Sequence, residues 1–305
     1  MKNSLSFLLV FTMFIVSVAA SPFTNESPTP LGAGQMPAVV RDSRGTIHLV
    51  YGLGDSLLYR YSSDKGSTFS QPQLISKIPG LLDIATCGPQ IAVTKNGLSV
   101  VAPTVAGNIW AFIKTGRGKW INTGRLNDVD SVNGEGFVAL GSDGNMKLVA
   151  VWYDLRNNRR NKLFGSRSED GGKTWSPNVK VYSSPDSTIC ECCRTNLAMR
   201  GNNVYIMFRN QLYGNRDLYV ISSSDAGKTF GQPEKLGIGT WQLNGCPMDG
   251  GDIVVNESGI VQTVWRRASK VFFCEPGKPE KAIGEGKGST IESINGQPAF
   301  AWTTA

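Results

Sequence analysis

Three short segments of the chain repeat one pattern: "YSSDKGSTFS" at 61–70, "SRSEDGGKTWS" at 166–176 and "SSSDAGKTFGQ" at 222–232. Aligned on Asp64, Asp170 and Asp225, they share Ser-x-Asp-x-Gly-x-Thr followed by Phe or Trp. Recurrence at a fixed period is the strongest constraint a sequence places on its fold, because each unit must bury its apolar face on its neighbours. The aspartates lie 106 and 55 residues apart. The first interval is close to twice the second, so a further unit lies between the first two copies, and "KTGRGKW" at 114–120 is its eroded form.

Around each copy the same short strands recur. The first unit reads "MPAVVRDSRGTIHLVYG" then "SLLYRYSSD", the second "GPQIAVTKNGLSVVAP" then "NIWAFIKTG". The third and fourth repeat the scheme, and a fifth, "GGDIVVNESGIVQTVWRR" then "KVFFCEP", lacks the motif. Four short strands in roughly 45–60 residues, separated by Gly and Asn turns, describe a propeller blade. The last stretch, "STIESINGQPAFAWTTA", is one hairpin. The expected fold is therefore all-β, a six-bladed propeller with five full blades and an incomplete sixth, forming one domain over 35–305.

Within each blade the motif falls between the third and fourth strands. There an aspartate accepting backbone amides closes a tight turn while the aromatic ring packs inward. The motif is thus structural and marks one face. The opposite face collects the loops between strands two and three and those leading from blade to blade. These hold Asp154, Arg156, Arg159, Arg160, Arg209, Tyr213, Arg216, Asp217, Arg266 and Arg267, with Asn133, Glu135, Glu191, Arg194, Cys246 and Asp249. Eight arginines on one face suit carboxylates, sulfates or phosphates, about half of them being expected in ordinary surface ion pairs.

Residues 1–20 hold one lysine, an apolar run and a small-residue end, the pattern of a secretory signal peptide, and 21–34, rich in Ser, Pro and Thr, reads as a disordered lead-in. A secreted or periplasmic protein without stable membrane insertion is expected. Without the leader, 30 basic residues face 24 acidic ones, which favours anionic partners. The basic residues are isolated in loops, without a nucleic-acid reader's signature, so nucleic acid is not the expected partner.

The repeated Ser-x-Asp-x-Gly-x-Thr-Trp motif resembles the Asp boxes of the sialidase superfamily, over nearly all of 35–267. That resemblance implies an anionic glycan as ligand, no cofactor, and a glycoside hydrolase or a non-catalytic binding propeller. Carried over by position, "YIMFRNQ" places Arg209 as an acid-binding arginine and Arg266 or Arg267 as another one blade later; Arg194, from the loop arginines of the same face, is a further candidate to bind the acidic group. Glu191 matches the family's paired glutamate, and Asp249 and Asp83 are further carboxylate candidates. Two departures stand out: Gln35 in "QMPAV" occupies the place of the first arginine, and no tyrosine follows Tyr219 to serve as nucleophile.

Six cysteines remain: Cys87, Cys190, Cys192, Cys193, Cys246 and Cys274. In an exported chain they read first as disulfides, up to three, with cross-links between neighbouring blades. A sharper alternative is a soft-metal cluster of Cys190, Cys192, Cys193 and Cys246, near Met36 and Met248. His48 reads as a structural strand residue.

Overall fold

The computed structural model describes residues 30–83, 86–116, 118–186 and 188–304; the expected leader and most of the lead-in lie outside them. The described chain is built from strands, turns and bends. The first sheet contains β1 (Gln35–Arg41), β2 (Ile47–Leu53), β3 (Ser56–Ser62) and β4 (Gln73–Lys77). The second contains β5 (Gln90–Thr94), β6 (Gly97–Pro103), β7 (Ile109–Thr115) and β8 (Trp120–Arg125). The third contains β9 (Val138–Ser142), β10 (Leu148–Asp154), β11 (Lys162–Ser168) and β12 (Val179–Tyr182).

In the fourth, β13 (Thr188–Ile189) extends one end of a sheet formed by β14 (Asn196–Arg200), β15 (Asn203–Gln211), β16 (Leu218–Ser223) and β17 (Glu234–Lys235). The fifth holds β18 (Asp252–Val255), β19 (Val261–Arg267), β20 (Lys270–Cys274) and β21 (Lys281–Glu285). The sixth is the hairpin β22 (Lys287–Ile294) and β23 (Gln297–Thr303). The pairings are antiparallel and, apart from β13 with β15, run between chain neighbours, the meander of a propeller blade. The sequence expectation of five full blades and a two-stranded sixth matches this arrangement.

The first strands of successive sheets, β1, β5, β9, β14, β18 and β22, are neighbours in space. The core is divided accordingly. Val50, Leu57 and Tyr59 of the first sheet pack with Leu98, Val100 and Phe112 of the second. Val101 and Ala111 meet Trp152 and Phe164 of the third, whose other face, through Tyr153 and Leu163, meets Ile206 and Phe208. Met207 and Leu218 then meet Trp265 and Phe272, and Val264 and Val271 meet Ile291. Central strands such as β10 are buried along their whole length. Both faces of such a strand are covered, which explains its near-continuous apolar sequence.

The three motifs fold alike. In the first, Thr68 donates from its backbone amide to Asp64 Oδ1 at 2.9 Å and from Oγ1 to Oδ2 at 2.6 Å, while Ser62 Oγ donates to Oδ1 at 2.7 Å. Asp170 receives the same bonds from Thr174 and Ser168, and Asp225 from Thr229 and Ser223. The Thr68 bonds lead in holding the Asp64 carboxyl down at about 2. The segment that joins β7 to β8, where the eroded copy "KTGRGKW" falls, carries no aspartate. His48 is buried in β2, its Nδ1 2.7 Å from the Tyr59 hydroxyl.

Candidate functional site

A cavity of about 410 Å³ opens on the face opposite the motifs, where loops from four successive junctions between sheets meet. The first-to-second junction supplies Thr86 and Cys87, and the next supplies Glu135. The third-to-fourth supplies Glu191 and Cys192, and the fourth-to-fifth supplies Cys246 and Met248. Arg216, from the loop between β15 and β16, completes the wall. Two wall residues hold left-handed backbone angles, Thr86 at φ 87° and Met248 at φ 51°. For a β-branched threonine that conformation is costly, and such strain concentrates where a loop's shape matters more than its local stability.

The wall carries two carboxylates and one guanidinium. Burial pushes the Glu135 carboxyl up, a trend the Glu191 charge reinforces and Asn161 opposes. Cys87 donates its thiol to the Glu135 carbonyl at 3.2 Å, and burial together with Glu135 raises that thiol to about 11. Arg216 points Nη1 at the sulfur of Cys190, 3.3 Å away, and its buried Nε has no protein partner among the described residues. The guanidinium nevertheless places a positive charge on the cavity wall, where an anion can pair with it.

Arg209, Arg266 and Arg267 are already engaged. Arg209 is 1 % exposed, with Nε and Nη2 donating to the Asp249 carbonyl at 3.1 and 2.9 Å. Its Nη2 also donates to the Arg266 carbonyl at 3.0 Å, and its Nη1 to the Arg216 carbonyl. Arg266 pairs with Asp249 Oδ2 at 3.2 Å and donates to the Pro247 carbonyl at 2.7 Å. Asp249 is buried and further accepts the amides of Gly251 and Gly288. Trp241 lies against this knot, its ring centre 5.3 Å from the Arg209 guanidinium carbon and 5.5 Å from that of Arg266.

Arg267 pairs with Glu280 at 2.6 Å over the Phe272 ring, and Arg156 pairs with Asp154 and Asp128. Asp83 is buried against Gly52 and is not part of the cavity wall. Gln35 is exposed at the start of β1, opposite Gly52. Arg194 is half-buried beside Gly250. Tyr213 is 73 % exposed, and its amide is tied to Asp186. Of the predicted carboxylates and arginines, the cavity wall includes Glu191 alone. Glu135 and Arg216 stood in the sequence among the loop residues of this face without a role, and only the tertiary arrangement singles them out.

One disulfide, Cys192–Cys246, joins the loops leading into the fourth and fifth sheets, and Cys87, Cys190, Cys193 and Cys274 are free. The expectation of up to three bridges thus reduces to one among the described residues, placed between neighbouring blades as anticipated. Cys190 and Cys193 are both buried and share a hydrogen bond at 3.5 Å. That bond, aided by the Arg216 charge, makes Cys190 the more acidic of the pair, and the Cys193 thiol is pushed up.

The described residues adopt a sialidase-like β-propeller fold. An α-L-arabinanase of Penicillium chrysogenum, solved with arabinobiose, superposes with a TM-score of 0.59 at 13 % identity, covering 86 % of this chain and 85 % of the other. The NanB sialidase of Streptococcus pneumoniae gives 0.59 at 12 % identity over 86 % of this chain and 64 % of its own. A lectin of Aleuria aurantia, bound to a fucosyl-GlcNAc disaccharide, gives 0.53 at 10 % identity over 82 % and 77 %. No protein-family model and no curated protein matches the chain.

Proposed function

We propose that this propeller binds and hydrolyses an acidic glycan in the cavity described above. The observation that carries the reading is the meeting of Glu135, Glu191 and Arg216 in one wall, with the Glu135 carboxyl pushed upward by burial. Two carboxylates in unlike environments are the usual equipment for glycoside hydrolysis, and the one with the raised value is suited to be the acid. Glu135 gives its proton to the departing glycosidic oxygen as the bond to the anomeric carbon breaks. Water adds to that carbon and loses its proton to Glu191. Arg216, whose side chain lines the wall, supplies the positive charge that pairs with the sugar's acidic group.

Similarity of fold to glycosidases and to a lectin makes a glycan ligand the natural choice, although fold by itself does not determine activity. A second reading, a binding propeller without turnover, is favoured by one observation: no tyrosine lies in the cavity wall among the described residues. We place the site of action outside the cytoplasm, on the strength of the apolar leader and the disulfide.

The test is incubation with a fluorogenic sialoside and a panel of uronate and sulfated analogues, beside Glu135→Gln, Glu191→Gln and Arg216→Ala. Turnover lost in both glutamine variants supports the hydrolase. Binding that needs Arg216, without turnover by any form, supports the lectin-like reading. Neither binding nor turnover overturns both.

A further inference from the structure

Four sulfurs converge at the edge of the cavity from two loops. Those of Cys190, Cys192 and Cys193 all lie within 4.8 Å of one another, and Cys246 is bonded to Cys192. We infer that, when reduced, Cys190, Cys192, Cys193 and Cys246 form a site for one soft cation, zinc(II) or copper(I).

The spacing carries the argument. A cation held by thiolates at about 2.3 Å in a tetrahedron needs its sulfurs roughly 3.8 Å apart. Cys190 stands 3.7 Å from Cys192 and 3.5 Å from Cys193. Two donors are already aimed at the buried sulfurs: Arg216 Nη1 at Cys190, 3.3 Å, and the Asp249 amide at Cys193, 3.4 Å. Donors to sulfur are what a metal-bound thiolate requires, since they offset its charge and fix its orientation. Arg216 also places a positive charge beside a site whose four thiolates outweigh the charge of either cation.

A purely structural disulfide does not account for the remaining pair. Cys190 is within reach of the Cys192–Cys246 bond, so two free buried thiols beside it invite exchange. A bound cation removes that competition by occupying all four sulfurs. The disulfide is then the oxidised, metal-free form of the site. A small dithiol opens it in two exchange steps, supplying two electrons and two protons and leaving as its own cyclic disulfide. The cation then replaces the thiol protons, which pass to solvent. Met248, in the same cavity wall, adds a thioether suited to copper(I).

The experiment uses the full chain, reduced with a dithiol under nitrogen, desalted, and loaded with zinc(II) or copper(I) in separate arms. Each arm is measured by metal analysis and by competition with a chromophoric chelator. One cation per chain is expected, with affinity at least about tenfold weaker in Cys190→Ser and Cys193→Ser, unchanged in Cys274→Ser, and absent from the disulfide form. The arm that survives competition names the cation. If reduction unfolds the chain, circular dichroism must show metal restoring the fold. The inference fails if reduced wild type retains neither cation, if Cys190→Ser and Cys193→Ser bind as wild type does, or if metal leaves an unfolded reduced chain unchanged. None of these readouts depends on glycan turnover.

Discussion

The guanidinium of Arg216 is 3.3 Å from the sulfur of Cys190, while its backbone carbonyl accepts a hydrogen bond from Arg209. One residue thereby links the cavity, the cysteine cluster and the buried arginine beneath them. The two arginines should respond oppositely to mutation. Arg216→Ala is expected to weaken binding of an acidic oligosaccharide by about tenfold or more, the value of one charge-assisted hydrogen bond, with little change in thermal midpoint. Titration calorimetry beside a melting curve separates the two effects.

Arg209→Ala should act on the fold. It removes the donors to three carbonyls, that of buried Asp249 and those of half-buried Arg216 and Arg266, and leaves Asp249 and Arg266 without their support. A loss of at least about 3 kcal/mol is expected, since each unsatisfied buried acceptor costs roughly 1 to 3 kcal/mol. The urea midpoint reports it. Weakened glycan binding at an unchanged midpoint would contradict this placement.

Glu191→Gln should move the pH profile as well as lower turnover. The Glu191 charge helps raise Glu135, so removing it lets the Glu135 value fall. An acid catalyst must be protonated, and activity declines as pH rises through its pKa. The alkaline limb of any residual turnover should therefore shift to lower pH, with Arg216 and Cys87, the other titratable neighbours in the wall, left in place. A limb that stays put would show that Glu135 is not the acid.

The aspartate motifs predict an acid limit to stability. Asp64 is held at about 2 in the fold, against an ordinary 3.8. A depressed carboxylate contributes stability that is present above its unfolded value and lost as pH falls through the folded one. The melting temperature should drop between roughly pH 4 and pH 2, and Asp64→Asn should be less stable at neutral pH with a smaller drop across that window. Equal slopes for the variant and wild type would remove Asp64 from the account.

The blades were legible because their signals are local. Ser62, Asp64, Gly66 and Thr68 bond among themselves within seven residues of chain, so the sequence pattern and the turn are nearly the same object. The site is different in kind. Arg209 and Arg216 lie on the same face at similar places in the sequence, and nothing local shows which guanidinium is spent on carbonyls from the fifth blade. Asp249 reads as a loop carboxylate until Arg266, Gly251 and Gly288 are seen around it. Glu191 was a candidate from its resemblance in position to the sialidases' paired glutamate, whereas Glu135 needed the cavity. The Cys192–Cys246 pairing spans 54 residues, a distance over which spacing has no say.

The separation of the two faces sets what the scaffold can tolerate. The aspartate turns hold their strands through bonds that stay within the motif and project away from the cavity. Every wall residue named here comes from a segment between β2 and β3-type strand pairs or between sheets, outside the strands that form the inter-blade cores. Ligand preference in such a molecule can therefore be rewritten loop by loop at small thermodynamic risk, while a single change at Asp249 or Arg209 reaches both the loops beside the cavity and the junction of two blades.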